Sequence, residues 1–537
     1  MTKTVSTYLN LTIGLLFALF LTACSSKKTD TLFEKMDNEA IGVTFQNKVE
    51  NRADFNIFNY RNFYNGGGVG IGDINNDGLP DIFFTSNMGS NKLYLNKGSW
   101  KYDDITTKAK VGSTGKWGTG VVMVDINNDG RLDIYVCYAG YQKGVDQRKE
   151  LYINQGNGPD GVPTFTEEAK KYGLDDNGYT THAAFFDYDK DGDLDCYILN
   201  NSFIPVNTLN YEDNRNVRAE DWPVKDFLKG GGDRLMRNMS VERGAKGMGE
   251  KGAKAAPKPQ APSPQPIFVD VSKEENIFSS LIGFGLGVTI GDVNGDNWPD
   301  IYVSNDFFEK DYLYINQHDA SGRHTGFKEE IEQRMKHLSI ASMGADMADI
   351  NNDGYPEIFT TEMLPRDEKR LKTTTSFENH YVANLKRDKG FYNQLQQNCL
   401  QLNNQNGTFS EIANYAGVAA SDWSWGALLF DADNDGYNDI YVCNGIYNDV
   451  IDQDFIDFFA NELAQKMVLS GKKQEFDEIV KNMPSRPIPN YFFSNNKNLR
   501  FTETGDAMGL ADPSFSNGAA YADLDNDGDL DLVVNNV

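Results

Sequence analysis

The sequence predicts an all-β chain folded as a seven-bladed β-propeller, with an acidic loop between strands 1 and 2 of each blade and a small helical insertion in blade 6. Three observations predict it. One acidic nonapeptide is written seven times, every copy sits between β-rich segments, and a third strand-like segment follows in six of the units. Four short strands per unit, repeated radially, make propeller blades.

The nonapeptides are DINNDGLPD, DINNDGRLD, DYDKDGDLD, DVNGDNWPD, DINNDGYPE, DADNDGYND and DLDNDGDLD, beginning at residues 73, 125, 187, 292, 349, 431 and 523. Side-chain oxygens stand at positions 1, 3, 5 and 9, and the carbonyl of position 7 supplies a fifth, an oxygen-only set suited to one hard cation. The candidate ligands are Asp73, Asn75, Asp77, Leu79 and Asp81; Asp125, Asn127, Asp129, Arg131 and Asp133; Asp187, Asp189, Asp191, Asp193 and Asp195; and Asp292, Asn294, Asp296, Trp298 and Asp300. The last three loops add Asp349, Asn351, Asp353, Tyr355 and Glu357; Asp431, Asp433, Asp435, Tyr437 and Asp439; and Asp523, Asp525, Asp527, Asp529 and Asp531. Glycine follows position 5 in six copies, where the backbone turns sharply, and Asn297 replaces it in the fourth. The expected cofactor is Ca²⁺, up to seven structural ions. An EF-hand is excluded, because position 12 carries Phe84, Val136, Ile198, Val303, Thr360, Val442 and Val534 where a bidentate Glu is needed. Calcium-binding β-helix repeats are excluded as well, since the loops lie 52 to 105 residues apart.

Each loop leaves a glycine-rich or small-residue strand (GGGVGIGD, GTGVVMVD, SNGAAYAD) and runs into a β-rich one (DIFFTSN, DIYVCYA, DLVVNNV). Third strands read NKLYLNKG, KELYINQG, GDRLMRN, DYLYINQ, CLQLNNQNG and NYFFSNN; fourth strands open on an aromatic residue, as in TFTEEAKKYGL and RFTETGDAMGL. The seventh unit reaches Val537 after its second strand, so either that blade is short or, the favoured reading, the chain is the front portion of a longer protein. The segment from Leu32 to Val43 reads as an orphan fourth strand that closes the ring on that unit.

On these loops and strands, residues 32–537 resemble FG-GAP/VCBS repeats, the blade type of the integrin α-subunit head. MLPRDEKRLKTTTSFE from Met363 and DWSWG from Asp422 are similar to bacterial lipoproteins that carry such repeats ahead of an ASPIC/UnbV domain, a domain this sequence does not include. The resemblance implies fold and says little about ligand.

Composition agrees with a metal-rich scaffold. Of a net charge of −27, positions 1, 3, 5 and 9 account for 24 charges: three from each of the four loops with Asn at position 3, and four from each of the others. The acidity is thus metal-site chemistry and excludes nucleic acid, which wants a positive stripe. Residues 1–23 read as a lipoprotein signal peptide ending in Leu21-Thr22-Ala23-Cys24, with Cys24 lipidated and 24–31 a tether. The apolar run is short for a membrane span. Ser25 after the cysteine resembles the outer-membrane sorting pattern of Gram-negative bacteria, so the expected location is the outer membrane, lipid-anchored, facing periplasm or surface. Cys137, Cys196, Cys399 and Cys443 read as packed thiols with no bridge.

Function is expected on the face opposite the acidic loops. Long insertions near 202–231, 361–392 and 445–489 all join strands 2 and 3, and the last has helical apolar spacing. Trp423 and Trp425 are candidates for that ligand face, with packing beneath the insertion as the alternative. Residues 240–266 read as a disordered, low-complexity insertion. The five histidines are scattered and no catalytic constellation is recognised. The leading expectation is a binding or adhesion lipoprotein for glycan or protein. A structural subunit of an outer-membrane complex is the alternative, and an envelope enzyme with its site in the funnel is the third.

Overall fold

A computed structural model of the chain describes residues 31–52, 54–140, 144–240, 266–374, 378–460 and 476–537. The signal peptide, Cys24, almost all of the tether and the low-complexity insertion lie outside these residues.

Six antiparallel four-stranded sheets follow one another. The first contains Val69–Gly72, Asp81–Phe84, Lys92–Asn96 and Tyr102–Asp104. The second strands carry apolar residues on both faces and are buried along their whole length, as in Asp133–Ala139 and Asp195–Asn200. Each blade is sandwiched between neighbours, so the alternation of a one-sided sheet is lost. The first strands crowd together, each packed against the next, and small residues there are a steric requirement. A Cβ on Gly344 would stand 2.2 Å from Trp425 O.

The count of complete blades corrects the expectation: among the described residues there are six, not seven. The seventh repeat forms a two-stranded sheet, Ser516–Ala522 with Asp531–Asn536. It still fills its place in the ring, because Ser516–Ala522 packs against both Ser424–Phe430 and Val69–Gly72. The expected fourth strand in Leu32 to Val43 is also corrected, since this stretch joins no β-ladder and contains a short helix, Asn38–Ile41. Asp37 caps that helix through Glu39 N and Ala40 N. Its last residue Ile41, with Val43 and Phe45 beyond it, fills the wedge between the seventh sheet and blade 1, against Ile82, Phe84 and Leu524.

Two sets of hydrogen bonds staple neighbouring blades. On the insertion face, side chains at the ends of second strands reach the next blade's first strand: Thr85 Oγ1 donates to Thr119 O, Thr361 Oγ1 to Trp425 O (2.8 Å), and Asn535 Nδ2 to Gly68 O (3.1 Å). The last of these closes the ring. The second set lies at the acidic loops.

All three insertions join second to third strands, as expected. Those of blades 3 and 5 pack together around Phe308 and Phe391. Arg215 from one and Glu309 from blade 4 form a buried bidentate pair (2.5 and 3.1 Å). In the blade 6 insertion the described parts are helical at Phe455–Ala460 and Phe476–Asn482. The four described cysteines are buried free thiols.

Candidate metal loops and the insertion face

Every acidic loop turns by the same device. Position 4 is left-handed in all seven (Asn76 φ 57°, Gly295 φ 76°, Asn526 φ 62°), and so is position 6 (Gly78 φ 87°, Gly528 φ 96°). A Cβ on Gly78 would meet nothing within 4 Å, so conformation alone selects glycine there. Asn297, with φ 67°, is the substitute such a position tolerates best. The position 1 carboxylate anchors the turn from inside: Asp73 Oδ1 accepts from Asp77 N (3.1 Å) and Oδ2 from Gly78 N (2.7 Å). The amides of Asp129 and Gly130 repeat this on Asp125, and those of Asp527 and Gly528 on Asp523.

Position 9 has a second role that the sequence reading missed. Asp81 accepts from Ile74 N (3.0 Å) within its loop and from Asn96 N (2.7 Å) in the third strand. Asp300 does the same with Val293 N (3.0 Å) and Asn316 N (2.8 Å), and Glu357 with Ile350 N and Asn403 N. The third-strand asparagine then crosses to the preceding blade. Asn154 Nδ2 donates to Ile74 O (2.8 Å), Asn316 to Tyr188 O (2.9 Å), Asn403 to Val293 O (2.8 Å) and Asn495 to Ile350 O (2.9 Å). Asn96 donates to Leu524 O (2.8 Å), so this staple closes the ring too. A signal for it was present: a Leu or Phe three residues before an Asn recurs in all six third strands, from Leu93 and Asn96 to Phe492 and Asn495.

Burial pushes these position 9 carboxyls up, to about 7 for Asp81, Asp133, Asp300 and Glu357 and about 8 for Asp195, although backbone amides oppose the shift. Three loops bring three carboxylates within 4.8 Å of one another: Asp187, Asp189 and Asp195; Asp431, Asp433 and Asp435; and Asp523, Asp525 and Asp531. Asp189 Oδ1 and Asp525 Oδ1 are buried without a hydrogen-bond donor, as oxygens pointing at a cation are. The residues therefore fit Ca²⁺. The loops differ in their surroundings: Arg237 lies 2.7 Å from Asp189, Arg131 2.5 Å from Asp129, and Lys497 3.0 Å from Asp435.

The insertion face differs from expectation in its aromatics. Trp423 and Trp425 are buried, at 7% and 8% exposure, with rings 6.1 Å apart. Trp425 Nε1 donates to Gly445 O (2.7 Å), and burial places both residues in the core. Packing, the alternative reading, is what their geometry supports. They join an aromatic cluster with Trp117 of blade 2 and with Phe55, Tyr60, Phe63 and Tyr64, from a segment no sequence signal singled out. The exposed aromatics of this face are others: Phe58, Phe227, Tyr381 and Tyr447. Beneath them Arg61 Nη1 donates to Ile204 O (2.7 Å), and its guanidinium lies over the Phe284 and Phe307 rings (4.7 and 5.1 Å). Burial pushes the Glu362 carboxyl up to about 8 and Asp306 to about 6. Two of the histidines come together on blade 4. His318 stacks on Trp298 (5.4 Å), and His324 bridges Asn316 Oδ1 (2.8 Å) and Glu275 Oε2 (2.7 Å).

Residues 73–136, 292–360 and 391–442 match the family model for FG-GAP-like repeats. Among curated proteins the chain is similar to cartilage acidic protein 1 of Xenopus tropicalis, 39% identical over 74 residues, which is 14% of this chain and 11% of that protein. The Homo sapiens protein of that name is 38% identical over 72 residues, 13% of this chain and 11% of its own length. The chain thus spans about a tenth of the relatives it matches. Among solved structures, an Agrocybe aegerita lectin specific for non-reducing terminal N-acetylglucosamine aligns with a TM-score of 0.39 and 13% identity, over 87% of this chain and 84% of that one. A Bacillus licheniformis rhamnogalacturonan lyase aligns at 0.29 and 11%, over 85% and 63%. Neither likeness bears on ligand or activity. The chain carries FG-GAP-like repeats arranged as a β-propeller.

Proposed function

We propose that this chain is a calcium-stabilised binding or scaffold module of the cell envelope, lipid-anchored through Cys24, that holds a glycan or protein ligand on its insertion face. One observation carries the reading: oxygen-lined loops recur around a closed ring, and the position 9 carboxylates that would face a cation also hold the third strands. The ion supplies charge compensation and fixed loop geometry, with no bond-making role. Asp73 and its equivalents shape the turn, position 9 ties the loop to the blade, and the third-strand asparagine ties the blade to its neighbour. Such a frame suits presentation of long loops. The acid pairs are absorbed by the loops, which favours binding over catalysis.

Phe58, Phe227, Tyr381 and Tyr447 are the exposed aromatic side chains of the insertion face, the kind that stacks on sugar rings or anchors a protein. The test is a glycan array probed with the protein in calcium, beside a Tyr381→Ala variant; Tyr381 is 75% exposed, so the change spares the fold. A hit that needs calcium and weakens in the variant supports the reading. Silence from folded, calcium-loaded protein removes the glycan ligand and leaves a protein one.

A further inference from the structure

Two carboxylates meet at the junction of blades 4 and 5, in positions where other blades use amides. In blades 3, 4 and 6 an asparagine stands five residues after position 9, and both ends of its side chain are bonded. Asn200 Nδ2 donates to Gly232 O (2.7 Å), and its Oδ1 accepts from Thr180 Oγ1 (2.6 Å). Asn305 does the same with Lys310 O (3.0 Å) and Phe284 N (2.9 Å), and Asn444 with Pro489 O (3.1 Å) and Ser424 Oγ (2.8 Å). In blade 5 this position is Glu362. It is 1% exposed, and neither of its carboxylate oxygens has a hydrogen-bond partner. The Met363 and Leu364 amides favour its charge from outside bonding geometry, and no basic side chain offsets it among the described residues.

One position further along, blades 1 and 3 carry asparagines that cross to the next blade. Asn87 Nδ2 donates to Gly118 O (2.9 Å) and Asn201 Nδ2 to Gly285 O (3.3 Å). Blade 4 has Asp306 here, and an ionised carboxylate has nothing to donate. Strand alternation aims the two acids at one another. Ser304 Oγ donates to Met343 O of blade 5, and Asp306, two residues on, points the same way. Thr361 Oγ1 donates to Trp425 O of blade 6, so Glu362 turns the other way, toward blade 4. Arg61, the cation beside Asp306, already donates to Ser202 O and Ile204 O of blade 3. A buried carboxylate without a donor is costly unless it is protonated or meets a cation. Asp306 is only half-buried, which leaves a way in from solvent.

We propose that Glu362 and Asp306 form a further cation site, separate from the acidic loops, that takes one hard divalent ion, Ca²⁺, between blades 4 and 5 at the insertion face. The pair offers oxygen alone, which suits such an ion, and its two negative charges match the ion's charge. Burial pushes both carboxyls up, and the Asp306 charge adds to the rise at Glu362, as for acids that share one site. The ion takes the place of the amide bonds this junction forgoes and ties one blade to the next.

The site does not depend on the loops, and the test separates the two. Crystals of the full chain are soaked in Tb³⁺, a stand-in for Ca²⁺, and the anomalous difference map is read at the junction and at the loops. Parent, Glu362→Gln and Asp306→Asn are compared, and the calcium bound per chain is counted in solution for each. Both substitutions bring back an amide, as in other blades, so the fold survives them. The expected result is a peak between Glu362 and Asp306 that vanishes in Glu362→Gln, along with one calcium ion per chain, while any loop peaks stay. In Asp306→Asn the affinity of the site falls about 10-fold or more, since it follows ligand charge. Filled loops with no peak at the junction overturn the proposal, and so does a junction peak that persists in Glu362→Gln. A filled junction beside empty loops supports it and sinks the calcium reading of the loops instead.

Discussion

Replacing Asn403 by Ala isolates the inter-blade staple from the metal chemistry. The side chain is buried; its Nδ2 donates to Val293 O (2.8 Å) and Pro356 O (3.3 Å), and its Oδ1 accepts from Gln405 N (3.0 Å). The backbone amide that holds Glu357 survives the change. Three hydrogen bonds at about 1 kcal/mol each give a loss of ~3 kcal/mol. If the 537-residue chain unfolds as one unit, its unfolding entropy is ~1 kcal/mol/K and the melt falls by ~3 °C. Differential scanning calorimetry measures this, with Asn404→Ala as control. Asn404 is exposed and bonds locally to Thr408, so its loss costs under ~0.5 kcal/mol. The drop should be equal in calcium and in chelator, because Asn403 is not a cation ligand. A melt within 1 °C of the parent, or no worse than the control, would refute the staple.

Other outcomes follow from the same contacts. Arg215→Ala strands Glu309 uncompensated in the core and costs ~3–5 kcal/mol, while Arg215→Met with Glu309→Leu recovers most of it by chemical denaturation. Glu362 is held above the usual carboxylate range, so its contribution is full below ~4.3 and is lost as pH rises through about 8. Glu362→Gln should lessen the fall in stability between pH 5 and 9 by that one group's share, and an unchanged slope contradicts the burial argument. Trp425→Phe removes the bond to Gly445 O and lowers the melt by about 1–2 °C while leaving ligand binding untouched; a selective loss of binding would restore Trp425 to the ligand face.

Much of the fold was legible because the repeat carries two independent signals, the acidic turn and the strands around it. The loops, the third strands and the placement of all three insertions are in the structure where the spacing put them. Blade 1's Tyr102–Asp104 and blade 4's His324–Glu329 were not singled out, since three to six residues at an outer edge leave little periodicity to read. Position 9 was read only as a ligand, because one of its two backbone partners lies in the third strand, 15 residues on for Asp81 and 56 for Asp439, beyond any local pattern. Trp423 and Trp425 misled for the opposite reason. Aromatic residues near a functional face look alike whether they cover a core or project from it, and residues 49–64 supplied the cover. Phe33 shows a partial success: it occupies the contact of a fourth strand on Gly509 without the ladder that would make it one.

The central claim is that the acidic loops are calcium sites that hold the ring together. Calcium uptake by equilibrium titration, read beside the melting temperature in 2 mM calcium and in EGTA, tests it most directly. At a Kd near 0.1 mM each occupied loop stabilises by about 1.8 kcal/mol, so seven loops give an upper bound on the order of 12 kcal/mol. The account predicts several ions bound per chain and a melt that falls by many degrees in EGTA. A chain that takes up no calcium at 2 mM and melts at the same temperature with and without chelator would contradict it.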